Sequence, residues 1–213
     1  MTGKFITFEG GEGAGKTTQI AVLASHLRAL GINVEVTREP GGTTGGEDIR
    51  NLIVHGQIDR WSAIAEAFLV NAARADHVQR RIRPALVAGS WVLCDRYLDS
   101  TLAYQGFGKG VKVSDLFTLH NLSTDNLLPD CTIILDVSIE VAMDRIAARS
   151  ALDPNIGLRF EAHSLDFHRS VSDGFRAVVD VSPQRCRLVD ANGSVEQVAD
   201  AVWAQVEPFV TYA

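Results

Sequence analysis

The stretch FITFEGGEGAGKT, residues 5–17, decides the fold class of this 213-residue chain. Its first five residues form a short apolar run typical of a buried strand, and a helical pattern follows at residues 16–30. Between the two, residues 10–17 match the pattern G-x-x-x-x-G-K-[ST]. A strand, a glycine-rich loop and a helix in this order are the context in which that pattern predicts a phosphate-binding loop.

The residue types in this P-loop indicate how it would hold a nucleoside triphosphate. Glycines let backbone N–H groups converge on phosphate oxygens, and the helix N-terminus adds a partial positive charge. Lys16 is predicted to bridge the β- and γ-phosphates, and the Thr17 hydroxyl to ligate Mg²⁺. The predicted ATP-binding residues are Gly10, Gly11, Glu12, Gly13, Ala14, Gly15, Lys16, Thr17 and Thr18.

Apolar runs and helical patterns alternate along the rest of the chain. Continuous apolar strands joined by helices predict a parallel sheet that is covered on both faces. We therefore expect a P-loop three-layer α/β/α fold with a five-stranded parallel sheet, formed by a single domain over residues 1–213. Strands are predicted at residues 5–9, 33–37, 91–95, 132–137 and 187–190, and helices at 16–30, 47–55, 62–88, 113–123, 138–148, 161–180 and 194–208.

Two stretches interrupt this alternation. Residues 39–46, EPGGTTGG, are too glycine-rich for a helix or strand, and residues 151–158, ALDPNIGL, form a polar, turn-rich insertion. Both lie where a sheet of this kind opens its ligand crevice, beyond the carboxyl ends of its strands. We expect them to move over a substrate, the second as part of a short lid at about residues 149–160.

The composition limits the classes of ligand and location. A net charge of −6 argues against a surface for nucleic acid or an anionic membrane, so a few focused cations must hold any anionic ligand. A free mononucleotide suits that arrangement. No apolar run is long enough for a signal peptide or a membrane span, and the three cysteines, Cys94, Cys131 and Cys186, share no C-x-x-C spacing. These features predict a cytoplasmic protein with buried, reduced thiols.

Charged residues follow two of the predicted strands. Asp95 and Arg96 end the strand at 91–95, so both are expected at the sheet edge beside the P-loop. A carboxylate there would hold Mg²⁺ through water, and a guanidinium would grip a phosphate with two parallel bonds. Arg38 follows the second strand, and Arg50 lies a few turns further on. Three arginines around one phosphate-sized volume predict an anionic second substrate rather than an alcohol.

Further motifs lie on the long helix and after Asp95. Phe68 and Arg74 are six residues apart on that helix, a rise of about 9 Å, so Arg74 would reach over a ring stacked on Phe68. Taken in order, FEGGEGAGKTT, TREPGGT, FLVNAARADH, DRYLDSTLAYQG and PDCTIILDV resemble bacterial thymidylate kinase over essentially the whole chain. The REPGGT and DRYLDSTLAYQG motifs carry this resemblance, because the P-loop is shared with many other families.

The resemblance implies an activity and a base pocket. The activity is transfer of the γ-phosphoryl group of ATP to dTMP in dTTP synthesis, with Mg²⁺ as cofactor, by a two-fold homodimer that packs through helices. It implies that Phe68 stacks on thymine and that Arg74 bonds a base carbonyl. Thr101 and Gln105 would complete the base pocket.

The same resemblance assigns the sugar and phosphate sites of the acceptor. Tyr104 would sit where a ribose 2′-hydroxyl would otherwise lie, and Glu12 would accept a hydrogen bond from the 3′-hydroxyl. Three arginines would hold the dTMP phosphate, steered by Glu39. The full predicted dTMP-binding set is Glu12, Arg38, Glu39, Arg50, Phe68, Arg74, Arg96, Ser100, Thr101, Tyr104 and Gln105.

The family has forms that differ in the position of the catalytic arginine. Some carry a basic residue within the P-loop, but residues 11–14 of this chain are Gly-Glu-Gly-Ala, so it resembles the form whose arginine comes from the lid. Arg149 and Arg159 flank the lid-like insertion, and the pattern does not choose between them. The loop at 190–193 is expected to pack on adenine. The predicted catalytic residues are Lys16, Glu12, Arg96, Arg149 and Arg159.

Two other functions compete with this interpretation. A deoxynucleoside kinase shares a P-loop and an acidic-Arg motif, but it phosphorylates a neutral hydroxyl and has no need of several arginines at an acceptor phosphate. A non-catalytic P-loop switch that binds nucleotide and signals through a partner is the second alternative. The chain has no guanine-reading N-K-x-D motif, because its only lysines are Lys4, Lys16, Lys109 and Lys112. An ATP-binding switch also has no use for a base pocket.

Overall fold

The central element of the fold is a five-stranded parallel sheet. The computed structural model describes residues 3–152 and 163–210, with only the backbone of residues 149–152, and the strand order is β2-β3-β1-β4-β5. Every neighbouring pair of strands is parallel, which confirms the predicted sheet. The strands are β1 (Phe5–Glu9), β2 (Val34–Arg38), β3 (Trp91–Asp95), β4 (Cys131–Asp136) and β5 (Cys186–Asp190).

Helices flank the sheet. The predicted helix at 62–88 is divided by a π-helical turn at Val78–Ile82, and its last part ends just before Gly89, which has a φ of 80°. None of the described helices is long and apolar enough to cross a membrane. The α-helices are α1 (Lys16–Ala29), α2 (Thr44–Val54), α3 (Ala63–His77), α4 (Arg83–Val87), α5 (Leu98–Thr101), α6 (Val113–Thr124), α7 (Ile139–Leu152), α8 (Leu165–Val181) and α9 (Val195–Val206).

Helix starts follow local side-chain chemistry. At α9, Ser194 and Gln197 form a capping box, each side chain bonding the backbone of the other. At α2 the prediction of an irregular segment through residue 46 is wrong, because the helix begins at Thr44. The Thr43 side chain accepts a hydrogen bond from the Gly46 backbone N–H at 3.0 Å, and this cap offsets the low helix propensity of the two glycines.

One helical segment was not predicted from the sequence. Residues 98–108 form α5 followed by a π-helix at Leu102–Gly108, and this segment packs against α8. A Cβ added at Gly108 would lie 2.6 Å from a ring carbon of Phe167, and one at Gly174 would lie 2.8 Å from Phe107 Cβ. The glycines therefore allow close contact between the two elements, and tertiary packing stabilises a helix that local propensity does not favour.

Two apolar clusters cover the two faces of the sheet. Alternate strand residues divide between them: Phe5 and Val92 belong to one cluster, Ile6 and Leu93 to the other. The three cysteines are free and buried in these clusters, as predicted. Because both faces are covered, the open positions for polar chemistry are the carboxyl ends of the strands.

Candidate active site

The P-loop connects β1 to α1 and holds its lysine against its own backbone. Lys16 Nζ donates to the carbonyl oxygens of Gly10 at 3.1 Å and Gly11 at 2.9 Å. Gly13 has a φ of 73°, and a Cβ there would lie 2.5 Å from the Ala142 carbonyl oxygen, so a side chain would not fit. Burial, and then the charge of Arg96, lower the pKa of Lys16. Phosphate oxygens of a nucleotide would offset both effects.

Thr17 and Asp95, the two residues predicted to hold magnesium, contact each other. The Thr17 hydroxyl donates to Asp95 Oδ2 at 3.2 Å, which joins the start of α1 to the end of β3. Asp95 Oδ1 is buried and bonds to nothing in the part of the chain that the structure describes. A buried carboxylate oxygen without a donor is costly, and a hydrated cation would satisfy it. These two residues therefore fit Mg²⁺ at the mouth of the P-loop.

Arg96 joins the P-loop to the segment at 98–108. Its guanidinium donates to Glu12 Oε1 at 2.6 Å, to the Gly10 carbonyl at 3.1 Å and to the Ser100 hydroxyl at 3.1 Å. It also donates to the Tyr104 hydroxyl at 3.1 Å and lies 4.9 Å from the centre of that ring. Burial alone would lower the pKa of Arg96, but Tyr104 and Glu12 raise it. One guanidinium thus contacts the P-loop and two of the residues predicted for the acceptor site, Ser100 and Tyr104.

Arg38 and Arg50 lie at the same mouth on β2 and α2. Arg38 Nη2 donates to both carboxylate oxygens of Glu47 at 3.0 Å, and Arg50 Nη1 donates to the Pro40 carbonyl at 3.0 Å. Burial lowers the pKa of Arg50, and the charges of Arg38 and Arg96 lower it further. The charges of Arg38 and Arg96 therefore both act on Arg50. A bound phosphate would relieve the repulsion.

Arg74 is buried rather than solvated, and its partner corrects one prediction. Its exposure is 1%, and its Nε donates to Glu39 Oε2 at 2.7 Å, while Nη2 donates to the Thr101 hydroxyl at 2.9 Å. The other oxygen of Glu39 lies 3.0 Å from His77 Nδ1. The expectation that Glu39 steers Arg38, Arg50 and Arg96 is therefore wrong. A carboxylate buried in the interior pairs with the cation buried beside it.

The Glu39–Arg74 pair keeps both groups charged. Burial would raise the pKa of Glu39, but the Arg74 charge and the His77 hydrogen bond lower it below its ordinary value. Burial would lower the pKa of Arg74, but Glu39 raises it. The guanidinium is therefore a fixed set of donors at this position.

The predicted base-pocket residues come from two elements. Phe68, on α3, is 57% exposed, whereas Arg74, on the same helix, is buried. Thr101 and Gln105 are buried on the segment at 98–108, which packs against α3. The Gln105 Nε2 group donates to Glu66 Oε1 at 2.9 Å. The structure thus brings α3, which carries Phe68 and Arg74, against the segment that carries Thr101 and Gln105, and it joins the two elements through the Arg74–Thr101 hydrogen bond.

Several buried polar residues were missed from the sequence. Glu9 accepts from the Tyr97 backbone N–H at 2.7 Å and from the Ser100 hydroxyl, and burial with the nearby Asp99 raises the pKa of Glu9 to about 8. Asp99 in turn pairs with Arg185 through two bonds of 2.7 Å. In the sequence, only the DRYLDS motif indicated that this region is functional. Glu9 lies within an apolar strand, and a single buried acid in such a strand has no recognisable pattern.

The structure describes the loop predicted to pack on adenine, but only part of the predicted lid. Arg145, on α7, donates to the Ala191 carbonyl at 3.0 Å and lies 3.5 Å from the Gly13 carbonyl, so it joins the P-loop to the loop at 190–193. The sequence pattern did not distinguish it from surface residues of that helix. Arg149 belongs to α7, but its side chain lies outside the described residues, as does the whole of Arg159.

Comparison with known proteins agrees with this geometry. A sequence model of the family described as thymidylate kinase matches residues 8–202. The thymidylate kinases of Rhizorhabdus wittichii and Thermomicrobium roseum are 48% and 52% identical to this chain, over 93% and 95% of it and over 94% and 93% of their own lengths. The crystal structure of thymidylate kinase from Ehrlichia chaffeensis superimposes with a TM-score of 0.77 at 32% identity, covering 96% of this chain and 98% of that one. This chain belongs to the thymidylate kinase family.

Proposed function

We propose that this chain transfers the γ-phosphoryl group of ATP to dTMP, giving ADP and dTDP for dTTP synthesis. The observation that carries the proposal is the position of Arg96, bonded at once to the P-loop and to the segment at 98–108. A cation there holds a second phosphate beside the γ-phosphate of the donor. The names of the similar proteins agree with this activity.

On the acceptor side, three arginines receive the dTMP phosphate. They lie on different elements but act on one another electrostatically, and charge-assisted bidentate bonds to phosphate replace that repulsion with attraction. Glu12 is held by Arg96 and accepts the 3′-hydroxyl, and Tyr104 fills the place of a 2′-hydroxyl. The arginines are Arg38, Arg50 and Arg96.

On the donor side, residues 10–18 hold the ATP phosphates through backbone N–H groups and Lys16. Lys16 gives up its bonds to the Gly10 and Gly11 carbonyls and turns to the phosphates. Thr17 and Asp95 would hold Mg²⁺, which would supply positive charge to the transferred group. The chain's own part is to position both phosphates in line and to exclude water.

The acceptor panel is the test of this function. We expect dTMP to be the best acceptor and dUMP to be about 10- to 100-fold poorer in kcat/KM, because one buried methyl group is worth about 1–3 kcal/mol in a pocket. A coupled ADP-release assay across the nucleoside monophosphates and thymidine measures this. Faster phosphorylation of thymidine than of dTMP would favour a deoxynucleoside kinase, and no ADP release with any acceptor would favour a switch.

A second prediction concerns the lid arginines. The transferred group needs more positive charge than Lys16 and Mg²⁺ supply, and residues 11–14 of the P-loop offer none. We expect Arg149→Met or Arg159→Met to lower kcat by about 10²-fold or more with little change in KM for dTMP. Near wild-type turnover in both single variants and in the double variant would move this role elsewhere, with Arg96 as the next residue to test.

Two further expectations belong to the same proposal. The two-fold homodimer implied by the family resemblance is tested by sedimentation at equilibrium, where a monomer at every concentration would contradict it. The cytoplasmic location is tested by fractionating cells that express the untagged chain. Neither expectation enters the argument for catalysis.

A further inference from the structure

A buried charge pair lies directly behind the amide of Gln105. Glu66, on α3, is fully buried, and its Oε1 accepts from Gln105 Nε2 at 2.9 Å and from Lys109 Nζ at 2.7 Å. Lys109 follows the π-helix that carries Gln105, and its side chain is 13% exposed. The pair therefore connects α3 to the end of the segment at 98–108.

The Glu66 carboxylate determines the orientation of the Gln105 side-chain amide. An ionised carboxylate only accepts hydrogen bonds, so it must face the NH₂ group and not the oxygen of the amide. Turning the amide by 180° would place its oxygen against Glu66 Oε1, two acceptors in contact with no proton between them. Gln105 is 3% exposed, so water has little room to compensate.

Lys109 forms an ion pair with the Glu66 carboxylate. A carboxylate buried without a cation is costly, and protonation would relieve that cost. A protonated Glu66 would become a donor and would accept either orientation of the amide. An ammonium group at 2.7 Å opposes that protonation, because a neighbouring cation favours the charged form of a carboxyl group.

The fixed amide gives the base pocket a single hydrogen-bond pattern. Arg74 has only donors, and the Gln105 oxygen is an acceptor on the side away from Glu66. A thymine or uracil ring offers the matching pair, the O4 acceptor and the N3–H donor. A cytosine ring offers the reverse, a 4-amino donor and an N3 acceptor. The 4-amino donor of cytosine would then face the donors of Arg74, and its N3 acceptor would face the Gln105 oxygen.

We propose that Glu66, paired with Lys109, is a specificity-determining positioning residue that orients Gln105 and so excludes cytosine nucleotides. The inference rests on the proposed function, because it takes residues 68–105 to contain the base pocket. Neither Glu66 nor Lys109 needs to touch the substrate. They influence the choice of base only through the side-chain amide of Gln105.

The Glu66→Gln variant tests this proposal. A neutral amide at this position donates as well as accepts, so Gln105 is free to turn. Comparing dUMP with dCMP isolates the effect, because the two bases differ only at position 4 and in the N3 proton. We expect the ratio of kcat/KM for dUMP over dCMP to fall at least 10-fold, with an absolute rise for dCMP. A merely structural role would lower both values and leave their ratio unchanged.

Control variants separate folding from specificity. Glu140→Gln, at an exposed position on α7, should leave the ratio at its wild-type value. If Glu66→Gln fails to fold because it leaves Lys109 unpaired, the Glu66→Gln/Lys109→Met double variant removes both charges and should show the same fall. A folded variant with an unchanged ratio overturns the inference. A wild-type protein that does not prefer dTMP over dCMP overturns the proposed function itself.

Discussion

Turnover is expected to fall by about 10³-fold or more when Lys16 is replaced by Ala, while dTMP still binds. Lys16 is bonded to the Gly10 and Gly11 carbonyls, and we propose that it turns from them to the donor phosphates. The acceptor phosphate is proposed to bind separate guanidinium groups, those of Arg38, Arg50 and Arg96. The coupled assay measures turnover, and calorimetry with dTMP measures acceptor binding.

An exposed lysine provides the control for this variant. Lys112→Ala, at the start of α6, removes the same charge away from the P-loop and should leave turnover unchanged. The assignment of separate donor and acceptor sites fails if folded Lys16→Ala loses dTMP binding completely. Turnover near the wild-type rate would remove Lys16 from the chemistry.

Replacement of Arg74 by Met is expected to affect stability and acceptor binding together. The side chain is 1% exposed and is paired with Glu39, so its loss leaves a buried carboxylate without a charge partner. Breaking a buried pair in this way costs about 3–5 kcal/mol of unfolding free energy. Loss of the donor to the base should weaken dTMP binding by about 1–3 kcal/mol, with ATP affinity little changed. Denaturant unfolding and calorimetry measure the two effects.

A double variant that removes both charges of the pair separates the effect on stability from the effect on dTMP binding. The Glu39→Gln/Arg74→Met variant leaves no unpaired charge, so it should recover part of the unfolding free energy but none of the dTMP affinity. Arg80→Met is the matched control, because Arg80 is exposed and its ion pair with Asp76 is worth about 0–1 kcal/mol. An equal loss of ATP and dTMP affinity would place Arg74 on the donor side. Unchanged stability would contradict the role of the buried pair.

The sheet and the P-loop could be predicted from the sequence because their signals are local. Each strand is a short apolar run, and each boundary came within about one residue of the observed one. The P-loop needs glycines where φ is positive, so its pattern is visible in the order of residues alone. The segment at 98–108 lacks such a signal, because its helical form depends on packing against α8.

For the candidate site, the sequence predicted only the residues that belong to recognisable motifs. The residues of REPGGT and DRYLDSTLAYQG were assigned to the acceptor, but their mutual contacts were not. Glu39 was expected near the phosphate arginines and is instead paired with Arg74 and His77. Glu66 and Lys109 carry no motif at all, because a single buried acid and its cation are 43 residues apart in the chain.

The sequence by itself determined the class of fold, the P-loop and the family. These depend on short-range patterns of apolar residues and glycines and on short motifs. The tertiary structure alone decided which charges are paired. A carboxylate such as Glu39 or Glu66 takes its role from the cation that the fold buries beside it, because in the interior an unpaired charge loses its hydration without compensation. For Glu66 that choice depends on the packing of α3 against the segment at 98–108, and for Glu39 on the packing of α3 beside the end of β2. No local pattern in these elements records either pairing.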